Sequence, residues 1–138
     1  MTSPSSSPPG RAHILLVEDD EDIRETFAEL LEEEGYSVAT ASDGHQALLV
    51  LESGALLPDL ILLDLMMPNM NGFQFREEQL KHPAYARIPV AVISADVMAK
   101  EKVEKLLVSR FIRKPVQLQP LLAVVESLIA RPRAPPER

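Results

Sequence analysis

Short apolar runs recur along this chain, and each ends on a polar or charged residue. Ile14-Leu15-Leu16-Val17 leads into Glu18-Asp19-Asp20, Leu60-Ile61-Leu62-Leu63 into Asp64, and Val90-Ala91-Val92-Ile93 into Ser94-Ala95. Phe111-Ile112-Arg113 stops at Lys114-Pro115. Unbroken runs of this length, without polar alternation, predict strands buried on both faces, as in parallel sheets. Between them the apolar spacing turns helical. A first helix is predicted from near Asp20 to Gly35, with Ile23, Phe27, Leu30 and Leu31 on one stripe. Tyr36 to Ala41 is a short second strand, and Asp43-Gly44 turns into a helix carrying Ala47, Leu48 and Leu51. The third strand covers Asp59 to Leu63, and the turn-forming Pro68-Asn69-Met70-Asn71-Gly72 precedes a helix to about Leu80. Strand four is Val90 to Ile93, a fourth helix ends near Leu107, and strand five is Arg110 to Arg113. A last helix reaches about Ala130, its apolar face built from Leu121, Leu122, Val125 and Leu128 among others.

Five strand–helix units predict an α/β fold, a parallel sheet covered by helices on both faces. In such sheets, ligand-binding groups gather beyond the carboxyl ends of the strands. If the four runs are neighbours, their polar ends bring together Glu18, Asp19, Asp64, Ser94 and Lys114. Three carboxylates, a hydroxyl and an ammonium are a set for metal and phosphoryl chemistry. Taken singly, each has a plainer explanation. Acids before a helix serve as caps and dipole partners, Asp64 and Lys114 could end their strands as loop residues, and Ser94 could bond to nearby backbone. Met66, Met67 and Met70 read as packing residues, and His13, His45 and His82 have no metal-ligand spacing. The joint pattern, not any member, carries the functional reading.

Composition narrows the field. The 138 residues suffice for one domain, and with aromatics at 4% its core must be aliphatic. The absence of cysteine excludes disulfides, thiolate zinc sites and thiol catalysis. Residues 1–10 are Ser/Pro-rich and read as a disordered leader rather than a signal peptide, and 131–138 as a short basic, Pro-rich tail. With no apolar run near the roughly 20 residues of a membrane span, a soluble, cytoplasmic protein without membrane insertion is expected. The net charge of −7 works against binding DNA through its phosphates, so no DNA partner is expected.

Four segments, Ile14–Asp20 (ILLVEDD), Leu62–Gly72 (LLDLMMPNMNG), Ile88–Ala95 (IPVAVISA) and Phe111–Pro115 (FIRKP), closely resemble the receiver domain of two-component response regulators. The resemblance spans about 11–130. It implies a flavodoxin-like, doubly wound five-stranded sheet of order 2-1-3-4-5, whose switch point lies between strands one and three. It further implies Asp64 as phosphoacceptor and a Mg²⁺ ion held by Glu18, Asp19, Asp64 and the backbone carbonyl of Met66. Ser94 with the Ala95 N–H and Lys114 would take the phosphoryl oxygens, Phe111 would be the switch aromatic, and Lys114-Pro115 would be a cis peptide. The implied partners are a sensor histidine kinase or phosphotransfer protein upstream and a protein target downstream.

Two departures stand out. Glu18 occupies a position where the family more often has Asp, so its metal contact is expected through water. The stretch from Asp96 to Arg110 is a residue or two short, with Val108-Ser109 where Gly-Ala is usual. The reading is a stand-alone phosphoacceptor regulator, not an enzyme in its own right beyond slow self-catalysed phosphorylation and dephosphorylation. A phosphorylation-independent binding module of the same fold is the alternative. A Mg²⁺-dependent aspartyl phosphatase fits less well, because it needs an acid two residues past the nucleophile, where Met66 stands.

Overall fold

The computed structural model describes residues 12–53, 57–96 and 99–130. The predicted leader and tail lie outside the described residues. Five strands, β1 (His13–Val17), β2 (Ser37–Ala41), β3 (Leu60–Asp64), β4 (Val90–Ser94) and β5 (Arg110–Arg113), alternate with five helices. These are α1 (Glu21–Glu33), α2 (Gly44–Glu52), α3 (Gly72–Leu80), α4 (Ala99–Glu104) and α5 (Leu118–Ala130). All strand pairs are parallel and the order is β2-β1-β3-β4-β5. The order agrees with the expected doubly wound sheet.

Alternation along the central strands divides the core in two. Leu15, Val17, Ile61, Leu63, Val90 and Val92 face α2, α3 and Leu106 on one side. Ile14, Leu16, Leu60, Leu62, Ala91 and Ile93 face α1 and α5 on the other. β1, β3 and β4 are apolar on both faces because both are covered, whereas the edge strands β2 and β5 keep exposed positions. On the predicted α1 stripe, Leu31 is buried while Ile23, Phe27 and Leu30 are half-buried.

The starts of α1, α2 and α3 are fixed by side-chain caps. Asp20 accepts the Ile23 N–H, Asp43 that of Gln46, and Asn71 with Gln74 forms a reciprocal capping box. The strands run one residue further than expected at the site: Asp64 pairs with Ile93, and Ser94 with Arg113. α4 ends earlier, at Glu104, and the chain reverses at Leu107, where φ is 59°. A buried guanidinium organises this reversal. Arg76 donates through Nε to the Leu106 carbonyl at 2.9 Å and through Nη2 to the Leu107 carbonyl at 3.0 Å. Its Nη1 donates to Gln79 Oε1 at 2.7 Å, and Gln79 in turn donates to the carbonyls of Tyr85 and Ile88.

Candidate functional site

The register sets the site. Val17 pairs with Leu63, so the next residues, Glu18 and Asp64, emerge side by side from β1 and β3. One carboxylate oxygen from each of Glu18, Asp19 and Asp64 lies within 4.8 Å of the others. Glu18 and Asp64 are buried and Asp19 is exposed. The Lys114 ammonium, delivered by the end of β5, stands 3.5 Å from Asp64 Oδ2 and 3.6 Å from Glu18 Oε1. The Lys114–Pro115 peptide bond is cis.

Each acid is oriented by backbone. Asp64 Oδ1 accepts the Met66 N–H at 3.2 Å, and Glu18 Oε2 accepts the Asp20 N–H at 3.1 Å. Arg24 Nη1 donates to the Glu18 carbonyl at 2.9 Å, tying the acidic loop to α1. Among the described residues, Asp64 Oδ2 is buried without a hydrogen-bond partner. Burial, and then the Glu18 carboxylate, push the Asp64 carboxyl up to about 7, with Lys114 and the Met66 N–H pulling the other way. A buried carboxylate oxygen left unbonded among like charges is costly. An oxygen-seeking divalent cation relieves that cost, and this donor set suits Mg²⁺.

Ser94 is buried at the end of β4, where its Oγ accepts the Asp96 N–H at 3.1 Å and its carbonyl accepts the Lys114 N–H at 3.0 Å. Ala95 follows, exposed. Phe111, half-buried, pairs with Val92 and packs on the α2/α3 side of the core. The methionines differ from expectation. Met67 is buried and Met70 packs against the core, but the Met66 side chain is 63% exposed, so it is no packing residue. Beside Glu18 and Lys114 a cleft of about 580 Å³ opens between α1 and the β5–α5 connection, walled by Ile23, Phe27 and Pro115.

Three arrangements have no counterpart in the sequence pattern: the Arg24 contact and a bond from Asn69 Nδ2 to Asp43 Oδ2 at 3.0 Å beside the loops of the site, and the Arg76–Gln79 pair away from it. The Asp43-Gly44 and Asn69-Met70 turns were the available signals, but nothing in a single chain pairs one turn with another.

With this geometry in place, comparison with known proteins defines the class. The model of the response regulator receiver domain matches residues 14–126, and the chain belongs to that family. Response regulator RR06 of Streptococcus pneumoniae is 41% identical over 123 residues, covering 86% of this chain and 54% of that protein. The transcriptional regulatory protein CpxR of Klebsiella pneumoniae is 34% identical over 121 residues, covering 86% and 49%. Among solved structures, the non-phosphorylated HemR receiver domain of Leptospira biflexa superposes with a TM-score of 0.78 at 33% identity, covering 89% of this chain and 98% of that one. TrrA of Thermotoga maritima, in complex with Mg²⁺ and BeF, gives 0.75 at 29%, covering 85% and 98%.

The chain is thus a signalling domain of the two-component type, of a family that binds Mg²⁺ at an acidic pocket. It spans about half the length of the curated relatives it matches. One expectation is corrected here. A system without DNA was expected from the charge of −7, yet CpxR and the similar SphR of Synechococcus elongatus are transcriptional regulatory proteins, which points to DNA. The charge describes this stretch alone and is silent on what the other half of such proteins binds. Among the described residues, no helix is long and apolar enough to cross a membrane.

Proposed function

We propose that Asp64 accepts a phosphoryl group from a phosphohistidine donor and that the resulting acyl phosphate switches a protein-binding face built from α4, β5 and α5. The observation that carries this reading is the buried Asp64 Oδ2, unbonded within the acidic cluster and 3.5 Å from the Lys114 ammonium. Its partner oxygen, Oδ1, is held by the Met66 N–H, which leaves Oδ2 as the attacking atom. Glu18, Asp19, Asp64 and the Met66 carbonyl would hold Mg²⁺, which offsets the negative charge of donor and acceptor.

The chain's own residues do the rest. Asp64 forms the new P–O bond as the donor's P–N bond breaks and the imidazole keeps that electron pair. Lys114 stabilises one phosphoryl oxygen through charge; Ser94 and the Ala95 N–H serve another. Ser94 Oγ accepts the Asp96 N–H and keeps its own O–H free to donate to the phosphate, so a shift of Ser94 toward the phosphate carries Asp96 with it. Phe111, on the neighbouring strand, can then repack, which couples charge to packing. The departure of the Asp96 to Arg110 stretch from the family pattern, with Val108-Ser109 before β5, favours the second reading, a binding module that ignores phosphorylation. Phosphoramidate, a small donor with a P–N bond, decides between them: Mg²⁺-dependent labelling lost in Asp64→Asn supports the proposal, and no labelling of the wild type overturns it.

A further inference from the structure

We infer that Asp43 and Asn69 form a latch that positions the Asp64 carboxylate from across the loop joining β3 to α3. The inference rests on Asp64 being the acceptor and assigns it a remote positioning pair.

Asp43 does more than cap α2. Its Oδ1 accepts the Gln46 N–H at 2.9 Å, which completes the cap, but its Oδ2 accepts Asn69 Nδ2 at 3.0 Å, 26 residues away. Next to it, the Gly44 N–H donates to the Met70 carbonyl at 2.9 Å. The approach is so close that a Cβ on Gly44 would lie 2.5 Å from Met70 Cγ and 2.8 Å from the Met70 carbonyl oxygen. Asn69 itself has φ of 66°, a left-handed backbone that asparagine tolerates better than other residues with a Cβ. A second closure lies at the base of the loop. There the Gly72 N–H donates to the Leu65 carbonyl at 3.0 Å, and a Cβ on Gly72 would lie 2.7 Å from the Asp64 carbonyl oxygen.

The loop between these closures carries Met66, whose N–H binds Asp64 Oδ1. The Met66 side chain is largely exposed and does not anchor that amide. The amide is therefore held by backbone closure at one end and by the latch at the other. Rotation of the Asp64 carboxylate, and so the direction of Oδ2 toward Lys114, follows from where the loop is pinned. A pair lying outside the acidic cluster thereby sets the attacking geometry within it.

Asn69→Asp removes the amide donor while keeping a short side chain that tolerates the left-handed backbone, and Asn69→Gly removes the side chain with that backbone still allowed. The α2 cap stays intact. Amide hydrogen exchange at Met66, measured without metal, should rise about tenfold or more while exchange in α2 and the melting temperature stay near wild type. Phosphorylation by a small donor in Mg²⁺ should slow several-fold. Gly44→Ala, which drives a Cβ into Met70, should show the same two changes. Unchanged Met66 exchange in these variants overturns the latch, and faster exchange with undiminished phosphorylation overturns its positioning role. A wild type that takes no label overturns the assignment of Asp64 itself, a separate and recognisable outcome.

Discussion

Lys114 Nζ stands 3.5 Å from Asp64 Oδ2, beyond ordinary hydrogen-bond length yet close enough for strong Coulombic attraction. The ammonium is shared with Glu18 at 3.6 Å and so counters two buried carboxylates at once. It also competes with a cation for them. Lys114→Gln should therefore raise Mg²⁺ affinity several-fold, about 1 kcal/mol, while slowing phosphorylation by at least tenfold. Calorimetric Mg²⁺ titration and small-donor labelling check the two signs, and a loss of Mg²⁺ affinity would contradict this account of the lysine.

The raised carboxyl of Asp64 gives stability a defined pH dependence. Its value moves from 3.8 to about 7 on folding, through burial first and Glu18 second. A carboxyl that binds its proton more tightly when folded costs nothing below its unfolded value. It subtracts stability as pH rises from about 4 to about 7, and the loss levels off above that. Asp64→Asn should thus exceed wild-type stability by roughly 2 kcal/mol at pH 8 without divalent ions, and match it near pH 4. Mg²⁺ should stabilise the wild type more at pH 8 than at pH 5. Urea unfolding at the two pH values provides the comparison; a difference between variant and wild type that does not change with pH would contradict it.

Removing two of the three site acids tests the metal assignment. Glu18→Ala with Asp19→Ala should abolish measurable Mg²⁺ binding at millimolar levels while leaving the sheet intact. NMR shifts at Asp64 and Met66 during Mg²⁺ titration report this. Shifts equal to those of wild type would place the ion elsewhere.

The Arg76 guanidinium is buried and donates to three neutral acceptors, and its desolvation holds its pKa below the usual arginine range. Arg76→Met would fill the space but strand those acceptors, costing about 2–4 kcal/mol in urea unfolding. Arg76→Lys should recover little, because an ammonium cannot reproduce the planar fork. A change below about 0.5 kcal/mol would show that the clamp is dispensable.

These residues also mark where sequence reading stops. The central strands were legible because burial on both faces leaves an unbroken apolar run, and the parallel order put their polar ends together. Glu18, Asp19, Asp64 and Lys114 converge for that reason. Arg76 and Gln79 were not legible, since long polar side chains on a helix read as solvent-facing and their partners are distant in sequence. α4 ends at Glu104 rather than near Leu107, and the apolar spacing carries no sign of the left-handed backbone at Leu107 or of the distant Arg76 that binds the Leu106 and Leu107 carbonyls. The Asp43–Asn69 bond joins two turns each of which is self-explanatory alone.

Output through α4, β5 and α5 should appear as altered protection there. With beryllofluoride and Mg²⁺, amide exchange should change at Phe111 and at 104–109 as well as around Asp64. Tenfold preference for the switched state needs only about 1.4 kcal/mol. Changes confined to the Asp64 pocket would mean that the Arg76 clamp holds the face fixed, and would favour the binding-module reading.

The central claim is that Asp64, and no other carboxylate of the cluster, becomes the acyl phosphate. Borohydride trapping after reaction with a small phosphodonor in Mg²⁺, followed by tandem mass spectrometry, locates the modified residue directly. The account predicts a single modified position, Asp64, absent when Mg²⁺ is chelated and absent in Asp64→Asn. Modification at Asp19 or Glu18, or equal modification of the Asp64→Asn variant, would contradict it.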